Sequence, residues 1–332
     1  MRSAALLQDG FHRPITYLRL SVTDRCNFRC VYCMPEKMRF LPRNQVLNKE
    51  ELFQVSAAFV GLGVNKIRLT GGEPLVHANL PWIVENLAGL PGLDQLALTT
   101  NGERLNLYAK PLKAAGLDRI NVSLDSLMPK RFAELTRTGN LKRVLEGISA
   151  AQKAGFERVK LNVVILRGRN DDEIVELVRF ARRESLDITF IEEMPLGHIS
   201  EHDRKLSFVS SDEIRATISH EFPLIPTDEN TGGPARYSRM DGSSISVGFI
   251  SPHSNNFCGS CNRIRVTAEG RLLLCLGNEH SIDLRQVIRE NPNDSEALQS
   301  RIRVAMSLKP ERHNFDLNEA PQIVRFMNMT GG

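Results

Sequence analysis

The feature that most restricts the fold of this chain is a strand-and-helix alternation that repeats six times between residues 17 and 192. Strands with one apolar face are predicted at 17–22, 66–70, 95–99, 119–124, 158–166 and 187–192. Helices are predicted between them at 49–61, 80–87, 107–115, 141–155 and 171–184, with a capping box at Asn48 and Glu51 and a cap at Asn170. A further capped helix is predicted from Ser210 to about His220. Such alternation produces a parallel sheet with right-handed crossovers. Because a full barrel has eight units, six units predict an α/β fold with an open, partial β/α barrel.

Polar residues alternate with aliphatic residues along the predicted strands. Four of these polar residues are cationic, namely Arg19, Lys66, Arg68 and Lys160. The outer face is covered by helices and must be apolar, so the cations are expected on the inner face of the barrel. Burying unpaired cations is costly, and Asp125 is the one acid at these positions, which leaves an internal salt-bridge network short of carboxylates. We therefore expect a polar or anionic ligand inside the barrel.

Three cysteines lie in the loop after the first strand. Cys26, Cys30 and Cys33 have the spacing C-x3-C-x2-C, which allows three thiolates to face one centre. On a four-iron cluster, three thiolates leave one iron open for chemistry. The alternative is a zinc loop with a distant fourth ligand, although zinc sites favour pairs of C-x2-C.

A second set of three cysteines lies in the C-terminal part of the chain and comprises Cys258, Cys261 and Cys275. A zinc site with His253 or His280 as fourth ligand fits this spacing as well as an iron–sulfur cluster does. The first set favours iron–sulfur chemistry here too. In addition, Arg263 and Arg265 alternate on the strand after the set, so that both can face an anionic ligand.

The composition is that of an ordinary globular protein of 332 residues, with 25% charged and 41% hydrophobic residues and a net charge of +4. No apolar run reaches the length of a membrane span, and the N-terminus lacks a signal peptide. Clustered cysteines without an export signal predict metal binding in a reducing compartment. We therefore expect a cytoplasmic protein that binds neither membrane nor nucleic acid.

The alternation stops after residue 193, and this suggests a division of the chain. We expect a flexible arm at residues 1–14, the partial barrel at 15–195 and a smaller α+β region at 196–332. The last region is predicted to contain strands at 246–250, 263–267 and 271–275 and helices at 284–290 and 295–306.

The first cysteine set, with an aromatic residue, Tyr32, before its last cysteine, resembles the signature of radical S-adenosylmethionine enzymes. The resemblance implies that the methionine end of this cofactor chelates the open iron. It also implies that an electron from the cluster releases a 5′-deoxyadenosyl radical. The expected partial barrel agrees with the fold of that superfamily.

Further motifs resemble those of the GTP 3′,8-cyclases of molybdenum cofactor biosynthesis. They are Thr70-Gly71-Gly72-Glu73-Pro74, the segment 121–126, the segment 261–265 and the terminal Gly331-Gly332. The resemblance covers residues 14 to 332. It implies a lyase that converts GTP to (8S)-3′,8-cyclo-7,8-dihydroguanosine 5′-triphosphate after abstraction of the C3′ hydrogen, the first step of molybdopterin biosynthesis.

The resemblance also implies roles for individual residues. One [4Fe-4S] cluster, which binds S-adenosylmethionine, is assigned to Cys26, Cys30 and Cys33. A second [4Fe-4S] cluster, whose open iron meets the guanine, is assigned to Cys258, Cys261 and Cys275. Contacts to S-adenosylmethionine are assigned to Tyr32, Gly72, Ser123 and Met194. Contacts to GTP are assigned to Arg19, Arg68, Thr99, Lys160, Arg263, Ile264 and Arg265. A catalytic role is assigned to Gly331 and Gly332, and we expect this tail to enter the cationic interior.

The same resemblance implies an external electron donor and a cyclic pyranopterin monophosphate synthase as the next enzyme, and it allows a homodimer. One departure from the family is Thr189, which stands before Phe190-Ile191-Glu192 where an arginine is common. One cationic contact to the substrate would then be missing. His77 and Ala78 stand at a place where basic residues are frequent in the family, which likewise indicates fewer cationic contacts to the substrate.

Three alternatives remain at this stage. The first is a radical S-adenosylmethionine enzyme that modifies peptides, although such enzymes generally carry more C-terminal cysteines and lack a Gly-Gly end. The second is a diverged paralogue with a different nucleotide substrate. The third is a two-cluster electron carrier or a metal-bound nucleic-acid module, which leaves the polar barrel interior and the motif at 70–74 unexplained.

Overall fold

One twelve-stranded sheet organises the computed structural model, which describes residues 6–319 and 323–331. Its strands are β1 Tyr17–Ser21, β2 Lys66–Thr70, β3 Gln95–Thr100, β4 Arg119–Ser123, β5 Val159–Val164, β6 Asp187–Ile191, β7 Leu224–Pro226, β8 Arg236–Met240, β9 Ser246–Ile250, β10 Arg263–Val266, β11 Arg271–Leu273 and β12 Ser281–Asp283. The order across the sheet is β12-β11-β10-β1-β2-β3-β4-β5-β6-β9-β8-β7.

Helices connect these strands and cover the outside of the sheet. They are α1 Lys49–Gly61, α2 Leu80–Ala88, α3 Leu105–Ala114, α4 Pro129–Thr136, α5 Leu141–Lys153, α6 Ile174–Arg183, α7 Arg204–Ser207, α8 Ser211–Ser219, α9 Leu284–Glu290, α10 Ser295–Met306 and α11 Met327–Thr330. Within the described ranges, no helix has both the length and the apolar character that crossing a membrane requires.

The strands β1 to β6 are adjacent in chain order and pair in parallel, which confirms the expected partial β/α barrel. Their apolar residues, such as Leu18, Leu20 and Ile67, are fully buried under the helices. The polar residues of the same strands therefore face the barrel interior, because successive side chains of a strand point to opposite faces.

The strands after residue 195 extend the barrel sheet instead of forming a sheet of their own. β10 pairs in parallel with β1, with Leu18 opposite Ile264, and β9 pairs in parallel with β6, with Ile188 opposite Val247. The antiparallel strands β11 and β12 continue one edge, and β8 and β7 continue the other. Both edges of the barrel are thus built by the C-terminal region, and the boundary near residue 195 stays a prediction.

The expectation of a flexible arm at residues 1–14 is wrong for residues 6–14, while residues 1–5 lie outside the described residues. Arg13 is 7% exposed, and its Nε lies 2.6 Å from a carboxylate oxygen of Asp9. Its guanidinium also donates to the carbonyl oxygens of Cys258, Pro310 and Glu311. Because Asp9 and Arg13 are paired, both can lie buried in a segment whose other polar residues are exposed.

The cap predicted for α1 is present in the structure, whereas the cap predicted for α6 is not formed. Asn48 and Glu51 form the expected reciprocal capping box at the start of α1. Asn170 does not cap α6: its side chain instead accepts from the backbone N–H of Leu166 and donates to the carbonyl of Asp125. The helix therefore begins later, at Ile174, after a 3₁₀ turn.

Candidate active site

A cavity of about 280 Å³ occupies the barrel interior. The four cations predicted for the inner face, Arg19, Lys66, Arg68 and Lys160, all line it, as does Thr99. The polar interior expected from strand alternation is therefore confirmed. The structure adds Asn121 and Asn162 to the wall.

The same cavity is lined by residues assigned to both parts of the predicted site, although Cys26, Cys30 and Cys33 are not among its lining residues. Tyr32 and Met194 line it on the side of the first cysteine loop. The second cysteine set lines another part of the wall, together with the segment Arg263, Ile264 and Arg265. Gly72 and Ser123 do not line this cavity. They lie instead at the carboxyl ends of β2 and β4, on the rim where β/α barrels keep their active sites.

The first cysteine loop is held against α4, a helix that the sequence did not predict. The backbone N–H groups of Arg29 and Val31 donate to the carbonyls of Thr136 and Leu135, each at 2.9 Å. Phe28 is buried and packs edge-to-face on an aromatic ring of α4. These contacts fix the backbone on which the three thiols are carried.

The thiols of this loop are half-buried and influence one another. Burial is the main reason that the pKa of Cys26 and of Cys33 rises to about 12. Burial also raises the pKa of Cys30, and the neighbouring thiols of Cys33 and Cys26 raise it further. The influence of Cys33 on the pKa of both other thiols is consistent with three sulfurs in one loop.

The first cysteine set offers three free thiols as ligands. Across residues 6–319 and 323–331, no three Cys, His, Asp or Glu side chains lie close enough together to hold one metal ion. A zinc ion needs all its ligands within about 2.3 Å of one point, whereas the cysteines of a four-iron cluster bind different irons. Three free thiols are the donor set of a four-iron cluster that keeps one iron open.

Gly72 is in close contact with the backbone at the start of the first cysteine loop. A Cβ atom at this position would lie 2.6 Å from the carbonyl oxygen of Asp24 and 2.4 Å from that of Arg25. The N–H of Gly72 donates to the carbonyl of Thr23 at 2.8 Å. Only glycine permits this approach, so Gly72 fixes how the loops after β1 and β2 meet.

Glu73 ties the next strand to this junction. Its buried carboxylate accepts hydrogen bonds from the backbone of Leu75, the hydroxyl of Thr100 and the backbone of Asn101, at 2.6 to 2.9 Å. Burial raises the pKa of Glu73 to about 7, while these three donors act in the opposite direction. The carboxylate thereby joins the ends of β2 and β3 below the cysteine loop.

The second cysteine set has a cation within contact distance. Lys309 is 3% exposed, and its ammonium lies 3.6 Å from Cys261 Sγ and 2.7 Å from the carbonyl oxygen of Leu274. Burial alone would raise the pKa of Cys261, but Lys309 and Arg263 hold it below the ordinary value. The sequence did not identify Lys309, because it lies far from the motif in the chain.

Of the two histidines considered for a zinc site, His253 already has another partner. The Nε2 atom of His253 lies 3.0 Å from the carbonyl oxygen of Glu193, and the ring packs on Phe208. His280 is exposed. The histidines therefore give the zinc alternative no support.

The floor of the cavity holds a hydrogen-bonded group of cations and phenols. Arg68 Nε donates to the Tyr17 hydroxyl oxygen at 2.6 Å, and its Nη1 lies 3.3 Å from the hydroxyl of Thr99. Lys66 lies over the Tyr17 ring and donates to the carbonyl of Thr231 at 2.5 Å. These contacts hold two of the cations without any carboxylate.

Lys160 is held by a residue that the sequence analysis missed. Its ammonium donates to the hydroxyl of Tyr237 and lies 4.4 Å from the centroid of that ring. The same hydroxyl is 3.0 Å from the hydroxyl of Thr231. Tyr237 belongs to β8, a strand that was not predicted because it lies in a long polar region.

Thr189, the departure from the family pattern, lies in the cavity wall. It is 1% exposed and stands between Asn162 and Gly248 in the sheet register. Its hydroxyl has no hydrogen-bond partner in the described parts of the chain. A Cβ atom at position 248 would lie 2.8 Å from this hydroxyl, so the two small residues pack closely. The wall is therefore neutral at this point.

The C-terminal tail reaches the cavity. The carbonyl oxygen of Gly331 lies 3.2 Å from Arg19 Nη2 and 3.3 Å from Arg265 Nη1. The helix α11 before it rests on the first cysteine loop, where the N–H of Met327 donates to the carbonyl of Cys33. The expected tail position is thus observed for Gly331 at Arg19, while Gly332 lies outside the described residues.

Two family models match the chain. The Radical SAM superfamily model matches residues 20–181, and the Molybdenum Cofactor Synthesis C model matches residues 186–315. The boundary between the two matches lies just before β6, so the second match includes the last strand of the barrel.

Curated relatives match the whole length. The chain is 60% identical over 332 residues to the GTP 3′,8-cyclase of Pseudomonas putida (strain W619), covering 100% of this chain and 99% of that protein. It is 61% identical over 327 residues to the GTP 3′,8-cyclase of Pseudomonas entomophila (strain L48), covering 98% of each. The enzyme of the same name from Pseudomonas syringae pv. syringae (strain B728a) is 58% identical over 331 residues, covering 99% of this chain and 100% of that protein.

A solved structure with the same fold is that of SuiB from Streptococcus suis, determined with S-adenosylmethionine bound. It superposes with a TM-score of 0.60 at 14% identity and covers 95% of this chain and 77% of that one. At this identity the likeness concerns the fold, and it agrees with the partial barrel described above.

Proposed function

This chain belongs to the GTP 3′,8-cyclase family of the radical S-adenosylmethionine superfamily, and on that basis we propose which of its residues hold GTP and its cofactors. The enzyme converts GTP to (8S)-3′,8-cyclo-7,8-dihydroguanosine 5′-triphosphate, the first step of molybdopterin biosynthesis. It uses two [4Fe-4S] clusters and S-adenosylmethionine, and it is a lyase.

The observation that carries the placement of GTP is the single cavity described above. Its lining includes Tyr32 and Met194, the second cysteine set and the cations of the barrel interior. A nucleotide in this cavity has its charged triphosphate next to arginine and lysine, which is the usual chemistry of phosphate binding.

We assign the triphosphate to the cationic floor. Arg68 is oriented by the hydroxyls of Tyr17 and Thr99, and Lys160 is oriented by Tyr237. No carboxylate is among these partners, so phosphate oxygens can become further partners of the cations. Arg19 and the segment Arg263 to Arg265 add further donors on the neighbouring strands.

The first cysteine set and its rim form the cofactor side. Cys26, Cys30 and Cys33 would hold the cluster, while Tyr32, Gly72, Ser123 and Met194 would contact S-adenosylmethionine. When bound, this pair supplies the 5′-deoxyadenosyl radical that removes the C3′ hydrogen of GTP. Tyr32 is fixed for this position, because its hydroxyl donates to Asp125 at 2.7 Å.

The second cysteine set would hold the cluster that meets the guanine. Cys258, Cys261, Cys275 and Arg263 all line the cavity, so that a base bound there would be within reach of the cluster. The protein's own part is to keep the ribose near the cofactor side, to hold both ends of the nucleotide and to exclude water.

Several finer assignments complete the proposal. We propose an external electron donor, a downstream cyclic pyranopterin monophosphate synthase, a cytoplasmic location and a division into barrel and C-terminal regions near residue 195. A homodimer is compatible with these assignments. The tail residues Gly331 and Gly332 are proposed to act in the catalytic step, because Gly331 lies beside Arg19.

The test is an anaerobic assay of the reconstituted protein with GTP and S-adenosylmethionine. The expected products are 5′-deoxyadenosine and the cyclised nucleotide, both identified by mass spectrometry. A parallel reaction with peptide pools in place of GTP examines the peptide-modifying alternative. Cofactor cleavage without cyclised nucleotide, together with a modified peptide, would overturn the proposal.

A further inference from the structure

Tyr17 lies at the centre of the cationic floor, and nothing in the family resemblance assigns it a role. It is 3% exposed, and its hydroxyl oxygen accepts a hydrogen bond from Arg68 at 2.6 Å. The ammonium of Lys66 lies 4.8 Å from the centroid of its ring. Arg19 on the same strand also hydrogen-bonds to this side chain.

The elements packed against β1 present further cations to Tyr17. In the sheet register it stands opposite Lys66 of β2 and Arg263 of β10. The charge of a Tyr17 phenolate would also act on the buried guanidinium of Arg265, and it would raise the pKa of that group. Three of these cations, Arg68, Arg19 and Lys66, act directly on the phenol. A negative charge on its oxygen would compensate them.

We propose that Tyr17 is the internal counter-anion of the empty triphosphate site, and that its phenolate takes up one proton from solvent when GTP binds. The proposal rests on the assignment of the triphosphate to this floor. In the empty protein the phenolate oxygen accepts hydrogen bonds from the arginines. When the triphosphate arrives, two anions would compete for the same cations, so that the phenol is favoured in its neutral form.

Two physical points support this exchange. Burial alone raises the pKa of a phenol, yet the charges of Arg68, Arg19 and Lys66 lower the pKa of Tyr17 to about 7. In addition, a neutral phenol can donate a hydrogen bond, whereas a phenolate can only accept one. Protonation therefore converts Tyr17 from a competitor of the phosphate into a donor to it.

The first experiment measures the ionisation of Tyr17 in the absence of nucleotide. The ultraviolet difference absorbance of tyrosinate is followed with pH for the cluster-loaded wild type, Tyr17→Phe and the control Tyr108→Phe, which alters a half-buried tyrosine on α3. One tyrosine should ionise near neutral pH in the wild type and the control, but not in Tyr17→Phe. If every tyrosine ionises at about pH 10, as free tyrosine does, the proposal is wrong.

The second experiment counts protons on binding. GTP is titrated calorimetrically into the anaerobic enzyme, without S-adenosylmethionine, at about pH 8 in two buffers that differ in ionisation enthalpy. The wild type should take up close to one proton more per GTP than Tyr17→Phe, and this difference should disappear at about pH 6. Subtracting the proton uptake of Tyr17→Phe from that of the wild type removes the protons that GTP itself binds.

Affinity provides a third result from the same titrations. Above neutral pH the dissociation constant of the wild type should rise by up to about tenfold per pH unit relative to that of Tyr17→Phe. Equal proton uptake by the wild type and Tyr17→Phe, together with dissociation constants that change with pH in the same way, would refute the coupling. If none of the three proteins bound GTP, the placement of the triphosphate would be wrong and the coupling with it. The spectra would still decide whether Tyr17 is the counter-anion.

Discussion

The carbonyl oxygen of Gly331 lies 3.2 Å from the Nη2 atom of Arg19, although the two residues are 312 positions apart in the sequence. Arg19 belongs to the first barrel strand and lines the cavity, so the end of the chain forms part of the wall of the site. A backbone carbonyl is the only polar group that Gly331 can offer here besides its N–H. The conformation of the backbone therefore decides whether the tail reaches the arginine.

We expect Gly331→Ala to reduce cyclisation of GTP more than about tenfold while cleavage of S-adenosylmethionine continues. Gly331 has φ +81°, and a Cβ atom would lie 2.7 Å from the hydroxyl oxygen of Thr70. An alanine at position 331 has to move to relieve this contact, and its carbonyl oxygen then moves away from Arg19. The measurement compares the cyclised nucleotide with 5′-deoxyadenosine in the same anaerobic reaction.

The matched control for the tail is Gly89→Ala. Gly89 ends α2 with φ −80°, and a Cβ atom there meets nothing closer than 3.6 Å, so activity should be unchanged. Deletion of Gly331 and Gly332 should resemble Gly331→Ala, with both clusters and GTP binding largely retained. A truncated protein that forms product at the full-length rate would contradict the assigned role of the tail.

Substitutions in the two cysteine sets should impair different steps of the reaction. Cys30→Ala should abolish cleavage of S-adenosylmethionine, because the first set would lose its cluster. Cys261→Ala should retain some uncoupled cleavage but give no cyclised product, because the second set would no longer hold the base. Iron analysis should fall from about eight to about four per chain in each variant. Equal loss of cleavage in both would mean that the two sets do not have separate roles.

Tyr237→Phe should weaken GTP binding more than it slows turnover. The ring remains beneath Lys160, but the hydroxyl that orients the ammonium is lost. One hydrogen bond to a charged group contributes about 1.5 kcal/mol or more, so KM should rise roughly tenfold. Steady-state kinetics with Tyr108→Phe as the control would measure this. A fall in kcat with unchanged KM would show that Tyr237 acts in the chemical step instead.

The strands of the barrel and the polarity of its interior could be predicted because both depend on local pattern. The period-two alternation in Tyr17–Ser21 and Lys66–Thr70 gave the bounds of β2 to the residue and placed the cations inside. The caps at Asn48 and Ser210 were recognised for the same reason, since each box spans four residues.

Contacts between distant parts of the chain could not be predicted in this way. An alternating strand such as Arg263–Val266 does not reveal that its partner is β1, and so the continuous sheet was missed. Tyr237 and Lys309 lie outside every motif, and only the fold brings them to Lys160 and Cys261. Arg13 looked like part of a polar arm, because its carbonyl partners lie nearly 300 residues away.

Arg13 leads to the last prediction, which concerns the second cysteine set. Its Nη1 donates to the carbonyl of Cys258 at 2.7 Å, and its charge pairs with the buried Asp9. Arg13→Met should lower the free energy of unfolding by about 3–5 kcal/mol, because it leaves a buried carboxylate unpaired. It should also reduce iron at the second site in preference to the first. Denaturant unfolding, iron analysis and residual cofactor cleavage measure these effects, with the exposed Arg312→Met as control. Equal iron loss from both sites would show that Arg13 stabilises the fold generally rather than this loop.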